Sequence, residues 1–221
     1  MGIISRLLGR SRKLHGHDLI RKNEQMIIDH LSSYKDVQVI EIGSQREAGS
    51  TKYLSKLSNE HNYQFYTVDL NEETTRAANA IVKGENPNFE AINDFGEKFL
   101  SNFEKKTHLV YLDAFDIDGD WHSSDLRDWY QSVGSELNDE NCWKMHLDCA
   151  EAIVSNMEIN GFVIFDDVNP IDDNKDIILE KVAEYHSEWS GKGKTAIPYL
   201  LNNGFRLLDH QRGSALFQRI R

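Results

Sequence analysis

The chain contains little cysteine and little proline. Two cysteines occur in 221 residues, and the spacing of Cys142 and Cys149 fits neither a zinc knuckle nor a redox C-x-x-C pair. We therefore expect reduced thiols and a cytoplasmic protein. The three prolines fall at loop-like places, and neither an internal repeat nor a low-complexity linker occurs. The sequence is expected to fold as one continuous unit.

Basic residues are outnumbered by acidic ones. Lys and Arg total 25 against 36 Asp and Glu, which gives a formal net charge of -11. Extended contact with a phosphate backbone needs clustered cations, so we expect no nucleic-acid partner. The first fourteen residues, MGIISRLLGRSRKL, are locally basic, but their apolar part is too short for a signal peptide or a spanning helix. We expect no stable membrane insertion, and the sequence leaves a homo-oligomer open.

Two nucleotide-binding motifs are missing. Five residues without glycine separate Gly43 from Gly49, so the dinucleotide fingerprint G-x-G-x-x-G does not occur. No Gly-Lys-Ser/Thr closes a turn, so the chain has no P-loop. These absences argue against a nicotinamide-dependent dehydrogenase and against nucleotide hydrolysis.

Short β-rich runs alternate with helical patterns through most of the chain. The runs VQVIEIG, YQFYTVDL, FEAIN, THLVYLDAF and GFVIFDDV read as strands, and helical patterns lie between them. This alternation predicts parallel strands joined by crossover helices. FRLLDHQ and GSALFQRI predict an antiparallel hairpin that closes the sheet. The expected class is α/β, a doubly wound and mostly parallel sheet with an antiparallel C-terminal hairpin.

The pattern also predicts the domain organisation. Residues 1–36 are expected to form the basic segment and one helix over HDLIRKNEQMIIDHLSSY, whose apolar face should cover the sheet. Residues 37–221 are expected to form a single domain with an insertion at about 114–142. The insertion is polar and aromatic, and such loops at the carboxyl edge of a sheet can become lids.

The first strand leads into a loop suited to a polar ligand. It ends at Glu41 and Gly43, and the loop continues through Gly49 and Ser50 into a helix. Such a junction brings backbone amides and the positive end of a helix to one place. An ordinary strand-to-helix turn is the alternative.

Acids follow the next two strands. Asp69 ends the second strand, where a carboxylate can accept both hydroxyls of a ribose, or can instead cap the following helix. Asp94 follows the third strand, where a side chain can meet the edge of an adenine.

The arrangement resembles the class I S-adenosylmethionine-dependent methyltransferases, from about Val37 to the C-terminus. Their loop after the first strand holds the methionine part of the cofactor, which implies this role for Glu41, Gly43, Ser44, Gly49 and Ser50. The acid after their second strand holds the ribose and matches Asp69. GSQREAGS is longer than the usual E/D-x-G-x-G-x-G loop and is more similar to E-x-G-x-x-x-G-G-S. That variant is typical of small metal-dependent O-methyltransferases, and the resemblance implies a Rossmann-like fold with S-adenosyl-L-methionine as cofactor.

A second group of acids suggests a metal. Asp113 follows the fourth strand, and Asp166 and Asp167 follow the fifth, so adjacent parallel strands would bring these carboxylates together. Carboxylates at such short distances repel one another unless a cation lies between them. Oxygen ligands favour Mg²⁺ as that cation. Asp118 or Asp120 is an alternative to Asp113, and turn formation is an alternative for all of them. The pattern is similar to the catechol and macrolide-sugar O-methyltransferases, in which acids at these places hold Mg²⁺.

The residues suggest a reaction. A metal bound to a substrate hydroxyl would lower its pKa, and Asp113 or His146 is expected to act as the base, with His122 as a further candidate. Trp129 and Tyr130 in the insertion are expected either to stack on a sugar or planar acceptor or to form a local hydrophobic cluster, and Trp121 and Trp143 share these alternatives. The basic Gly-Lys-Gly-Lys turn at 191–194 either binds an acid group of the acceptor or is solvated.

The leading hypothesis is therefore an O-methyltransferase that uses S-adenosylmethionine and a divalent metal on a small hydroxylated acceptor, a sugar or natural product. A metal-independent methyltransferase and a non-catalytic Rossmann-like binding module are the alternatives.

Overall fold

The N-terminal part forms two short helices. We analysed a computed structural model that describes residues 15–44, 49–82, 84–119, 122–170 and 188–221. Helix α1 (Gly16–Lys22) and helix α2 (Glu24–Leu31) meet at Asn23, whose φ of -106° and ψ of 12° are not helical. Its amide donates hydrogen bonds to the Leu19 carbonyl at 3.0 Å and to Asp209 at 2.9 Å. The prediction of one helix was wrong, because the Asn23 side chain binds Asp209 of the sheet and stabilises the interruption between the two helices.

Within the described residues, eight strands form one mixed sheet in the order β3-β2-β1-β4-β5-β8-β7, with β6 paired to β5. Strands β1 to β5 are parallel, whereas β8 runs antiparallel to β5 and β7. The predicted mostly parallel sheet with an antiparallel C-terminal hairpin is confirmed. The strands are β1 (Gln38–Ile42), β2 (Gln64–Asp69), β3 (Phe89–Asn93), β4 (Thr107–Leu112), β5 (Met157–Pro170), β6 (Trp189–Gly191), β7 (Phe205–Gln211) and β8 (Gly213–Arg219).

Six further helices follow α1 and α2 among the described residues. The hydroxyl of Ser123 accepts a hydrogen bond from the Leu126 amide, and the Asn138 side chain accepts one from the Asn141 amide, so two of these helices begin at capping residues. The helical pattern predicted from Lys175 lies, up to Ser187, outside the described residues. The helices are α3 (Ser50–His61), α4 (Glu72–Val82), α5 (Gly96–Asn102), α6 (Ser124–Ser132), α7 (Asp139–Asn156) and α8 (Ala196–Asn202).

Alternating side chains divide the core between the two faces of the sheet. Val163 and Phe165 pack on the face covered by α5, α7 and α8, whereas Phe162 and Ile164 pack on the face covered by α1, α2 and α3. The two-residue period of a strand is the cause. None of the helices in the described ranges combines the length and apolar character needed to cross a bilayer.

The packing of α2 predicts a stability effect. Ile27 is fully buried against the sheet, whereas Ile159 is 41% exposed. Ile27→Ala is expected to lower the free energy of unfolding by about 2 to 4 kcal/mol, because it leaves a cavity in the core. Ile159→Ala makes the same chemical change at the surface and should cost less than about 1 kcal/mol. Chemical denaturation measures both, and equal effects would contradict the packing of α2 described here.

Candidate functional site

A cavity of about 760 Å³ opens at the carboxyl edge of the sheet. Residues that follow β1, β2 and β4 form one wall, and residues of α6 and α7 form the opposite wall. The strand order reverses between β1 and β4, and this is the place where open α/β sheets bind their ligands. The cavity is large enough for a cofactor or a drug-sized molecule.

The loop after β1 forms part of the first wall. Gly43 has a φ of +94°, and a Cβ atom there would lie 2.6 Å from the backbone nitrogen of Ala114. A residue with a side chain would be strained and would push β1 away from the segment after β4. The next residue, Ser44, donates its amide to Oδ2 of Asp69 at 3.0 Å.

Asp69 lines the cavity with its carboxylate held in place. Its Oδ1 accepts the Asn71 amide at 2.7 Å, while Oδ2 accepts the Ser44 amide. The side chain therefore fixes the turns after β1 and β2 relative to each other. Gly43, Ser44 and Asp69 are the predicted cofactor residues that the structure brings to the cavity wall.

The other predicted cofactor residues lie behind or beside that wall. Glu41 and Ser50 are buried beneath it, and Gly49 directly precedes α3. Oδ1 of Asp94 accepts the Phe95 amide at 2.8 Å, and it is Phe95 and Gly96 that line the cavity. None of these four positions is among the described residues that line the cavity, and their contact with a cofactor stays a prediction.

Glu41 is a buried carboxyl group that joins three elements. Its Oε2 accepts hydroxyl hydrogen bonds from Thr51 of α3 at 2.7 Å and from Thr67 of β2 at 2.5 Å. Complete burial raises the pKa of Glu41 to about 7, although hydrogen bonds from Ser50, Thr67 and Thr51 oppose the rise. Its place explains an acid inside β1 without any contact to a ligand.

The three predicted metal ligands do not lie together. Asp166 continues the face of Ile164, where its Oδ2 accepts the Tyr111 hydroxyl at 2.9 Å and the Gly16 amide at 3.2 Å. Asp167 has a φ of +54° at an irregularity in the pairing of β5 with β8, which interrupts the regular alternation, and its Oδ2 lies 3.3 Å from Nζ of Lys192. Among the described residues, no group of three His, Cys, Asp or Glu side chains is arranged to hold a metal ion.

Lys192 lies between Asp113 and Asp167, the other two predicted metal ligands. Nζ of Lys192 is 2.7 Å from Oδ1 of Asp113 and 3.3 Å from Oδ2 of Asp167. Burial lowers the pKa of the Lys192 ammonium, but the two carboxylates outweigh burial and raise it above its ordinary value. Burial raises the pKa of Asp113 to about 6, although Lys192 opposes this rise. The residues present do not fit the expected magnesium site, since a protein cation already contacts both carboxylates.

The alternative acids do not restore that site. Asp118 pairs with Arg127 of α6 at 2.7 Å, and Asp120 lies outside the described residues. Lys192 belongs to the basic turn that the sequence assigned to an acid group of the acceptor or to solvent. The structure shows instead that it pairs with acids of the protein itself.

His146 lies in the core. It is completely buried in α7, its Nδ1 is 2.8 Å from the Cys142 carbonyl oxygen, and it is not among the residues that line the cavity. Burial lowers the pKa of His146 to about 3, with a contribution from the Lys192 charge, so the ring stays neutral. This place does not support its predicted role as a base. His122, the other histidine considered, has its Nε2 2.9 Å from the Ile117 carbonyl oxygen.

The predicted insertion supplies the opposite wall. Trp129 and Tyr130 of α6 line the cavity, and the Tyr130 ring lies 4.6 Å from the Phe115 ring. The Tyr130 hydroxyl accepts the Asp116 amide at 3.1 Å, which ties α6 to the segment after β4. Trp143 is not among the lining residues, and Trp121 lies outside the described residues. The aromatic residues of α6 thus both pack together and face the cavity.

Acidic side chains outnumber basic ones among the described residues that line the cavity. Among its described lining residues, the only lysine or arginine is Lys144, which pairs with Asp148. A cavity of this charge favours a ligand with a positive group and disfavours a polyanion. The acidic lining residues are Asp69, Glu73, Glu97, Asp113, Asp116, Asp125 and Asp148.

Solved structures share this fold. A proposed rRNA methylase from Clostridium thermocellum gives a TM-score of 0.53 at 8% identity, over 89% of this chain and 96% of that one. A proposed methyltransferase from Streptococcus mutans in complex with SAH gives 0.49 at 12% identity, over 88% and 94%. TrmN from Thermus thermophilus gives 0.48 at 9% identity, over 89% of this chain but 48% of that one, about half its length. No protein-family model and no curated protein matches the chain, so these likenesses establish the fold alone.

The buried carboxyl group of Glu41 predicts a pH dependence of stability. Its pKa is about 7 in the folded protein against an ordinary value of 4.5, so its contribution to stability is complete below about pH 4.5 and is lost as the pH rises through 7. Glu41→Gln removes this titration. The variant should therefore gain roughly 3 kcal/mol relative to the wild type between pH 4.5 and pH 8. Denaturation across this range measures the gain, with the exposed Glu90→Gln as control, and parallel curves would contradict the burial of a proton-binding Glu41.

Proposed function

We propose that the protein is an S-adenosylmethionine-dependent methyltransferase acting on a small hydroxylated acceptor. The observation that carries the proposal is the cavity at the β1/β4 switch point, with the carboxylate of Asp69, the last residue of β2, in its wall. The fold alone does not decide between methyl transfer and other chemistries, so the argument rests on the residues of the cavity.

The cavity suits the chemistry of this cofactor. Asp69 offers carboxylate oxygens for the ribose hydroxyls, and Leu70 and Phe95 provide apolar surface beside it for a base. The excess of acidic over basic residues in the lining suits the positive sulfonium and amino groups. When bound, the cofactor would supply a methyl group on a positively charged sulfur.

The acceptor side favours a small molecule over a nucleic acid. Although one structural neighbour is a proposed rRNA methylase, a chain with a net charge of -11 and an acid-lined cavity repels a polyanion. Trp129, Tyr130 and Phe115 offer aromatic surface on which a sugar or planar acceptor can stack. A neutral or cationic hydroxylated molecule fits both features.

Asp113 is the proposed proton acceptor. Asp113 lines the cavity, and its side chain is 29% exposed although it also contacts Lys192. Its carboxylate can take the proton of an acceptor hydroxyl as the oxygen becomes a nucleophile. The divalent metal of the original hypothesis has no support from the geometry, so the proposed reaction assigns no role to one.

Binding of the cofactor tests the first part of the proposal. Asp69→Asn is expected to weaken the affinity for S-adenosylhomocysteine by about tenfold or more in calorimetric titration, because a neutral amide is a weaker hydrogen-bond acceptor for the ribose. The exposed Glu90→Gln on the adjacent strand removes the same charge and should leave the affinity unchanged. A wild-type protein that binds no S-adenosylhomocysteine, with or without EDTA, would favour the binding-module alternative.

Methyl transfer tests the second part. Asp113→Asn is expected to reduce the rate at least about 100-fold on any acceptor found by screening with labelled cofactor, while cofactor affinity is retained. The wild-type rate should fall as the pH falls through about 6, since Asp113 must be ionised to accept a proton. Asp118→Asn, at the Arg127 pair, should keep its rate within a few-fold. A flat profile between pH 5 and 7 would contradict the role of Asp113.

A further inference from the structure

Two of the three carboxylates that were expected to bind a divalent metal, those of Asp113 and Asp167, contact Lys192 instead. Nζ of Lys192 lies 2.7 Å from Oδ1 of Asp113, 3.1 Å from the Asp113 carbonyl oxygen and 3.3 Å from Oδ2 of Asp167. An ammonium has three N–H donors, so these acceptors match them in number. We propose that Lys192 is a built-in cation that takes the place of a divalent metal at this edge of the sheet and positions Asp113. The inference rests on the proposed function only for the role of Asp113.

The backbone around Lys192 holds it in this position. Gly191 has a φ of +76°, and a Cβ atom there would lie 1.9 Å from the Asp167 carbonyl oxygen. That carbonyl accepts the Lys192 amide at 3.0 Å. Asp167 has a φ of +54° at an irregularity in the pairing of β5 with β8. The acid and the lysine that neutralises it are therefore linked through both their backbones and their side chains.

Burial makes the ammonium a permanent part of the site. The Lys192 side chain is 3% exposed, so its charge is stable there only because carboxylates compensate it. A Mg²⁺ ion in the same place would need several oxygen ligands at about 2.0 to 2.1 Å. The Lys192 ammonium already occupies the space between the Asp113 and Asp167 carboxylates. Asp166, the adjacent acid, is engaged by Tyr111 and Gly16 on the opposite face.

The position also suits Lys192 to orient Asp113. The ammonium contacts both Oδ1 and the carbonyl oxygen of Asp113, which fixes the carboxylate relative to its own backbone. Asp113 nevertheless lines the cavity. Lys192 therefore acts through Asp113 and is a positioning residue.

Removal of the lysine should create the metal site that the wild type lacks. Lys192→Ala removes the ammonium from both carboxylates, so the variant is expected to bind Mn²⁺ at least about tenfold more tightly than the wild type, measured by electron paramagnetic resonance. Mn²⁺ should also raise the unfolding temperature of this variant alone. Lys194→Met is the matched control, because Lys194 belongs to the same turn but lies over the Trp143 ring. Lys192→Ala combined with Asp113→Asn should lose the new site.

Three results would overturn the proposal. The first is a wild-type protein that binds Mn²⁺ tightly through Asp113 and Asp167, and the second is a folded Lys192→Ala variant with no gain in Mn²⁺ affinity. If Lys192→Ala does not fold, the triple variant Asp113→Asn, Lys192→Met, Asp167→Asn decides, because it removes the charges together. Recovery of folding supports charge compensation by Lys192, and an equally unfolded triple variant is the third contrary result.

These measurements do not depend on the methyltransferase proposal. Mn²⁺ binding and unfolding are measured without S-adenosylmethionine, and S-adenosylhomocysteine titration of the wild type is a separate experiment. Failure of cofactor binding would remove the proposed function but leave the built-in cation intact. A tight Mn²⁺ site in the wild type would overturn the built-in cation but leave the proposed function intact.

Discussion

Carboxyl groups that are buried or partly buried at the carboxyl edge of a parallel sheet must each be compensated, and the rest of the site depends on this constraint. Three solutions occur on neighbouring strands. Glu41 accepts hydroxyl hydrogen bonds and binds a proton readily, Asp166 accepts hydrogen bonds from Tyr111 and a backbone amide, and Asp113 pairs with Lys192. Each solution joins elements that are distant in the sequence. The contacts that compensate these carboxyl groups therefore also hold the elements around the cavity together.

The cavity combines a fixed wall with a second wall that differs in origin. Asp69 holds the turns after β1 and β2 through two backbone amides, which makes the first wall rigid. The second wall comes from α6 and α7 and is tied to the segment after β4 by the hydrogen bond from the Asp116 amide to Tyr130, by the Asp118–Arg127 ion pair and by aromatic packing with Phe115. Loops and insertions of this kind carry specificity on a common scaffold.

The successes and failures of sequence interpretation have separate physical causes. Apolar β-rich runs that alternate with helical patterns predicted a mostly parallel sheet, because parallel strands need crossover connections between them. Asp69 was selected by its place at the end of β2, and the structure puts it in the cavity wall, while its role toward a ligand stays a prediction. Asp166 and Asp167 were expected to act together, whereas the structure gives them separate partners, Tyr111 and Lys192, and an irregularity of β5 lies at Asp167. Lys192 was not recognised as the partner of Asp113 and Asp167, since its contact with Asp113 spans 79 residues. Its only signal was a basic turn between glycines.

The sequence by itself determined the class of fold and the edge of the sheet at which the cavity opens. Both follow from local rules: hydrophobic periodicity sets the strands, and parallel connections bring their carboxyl ends to one edge. Only the tertiary structure decided which acids face the cavity, which are buried, and which cation neutralises Asp113. These outcomes depend on distances between side chains far apart in the chain, and a pattern of residue types along the sequence contains no such distances.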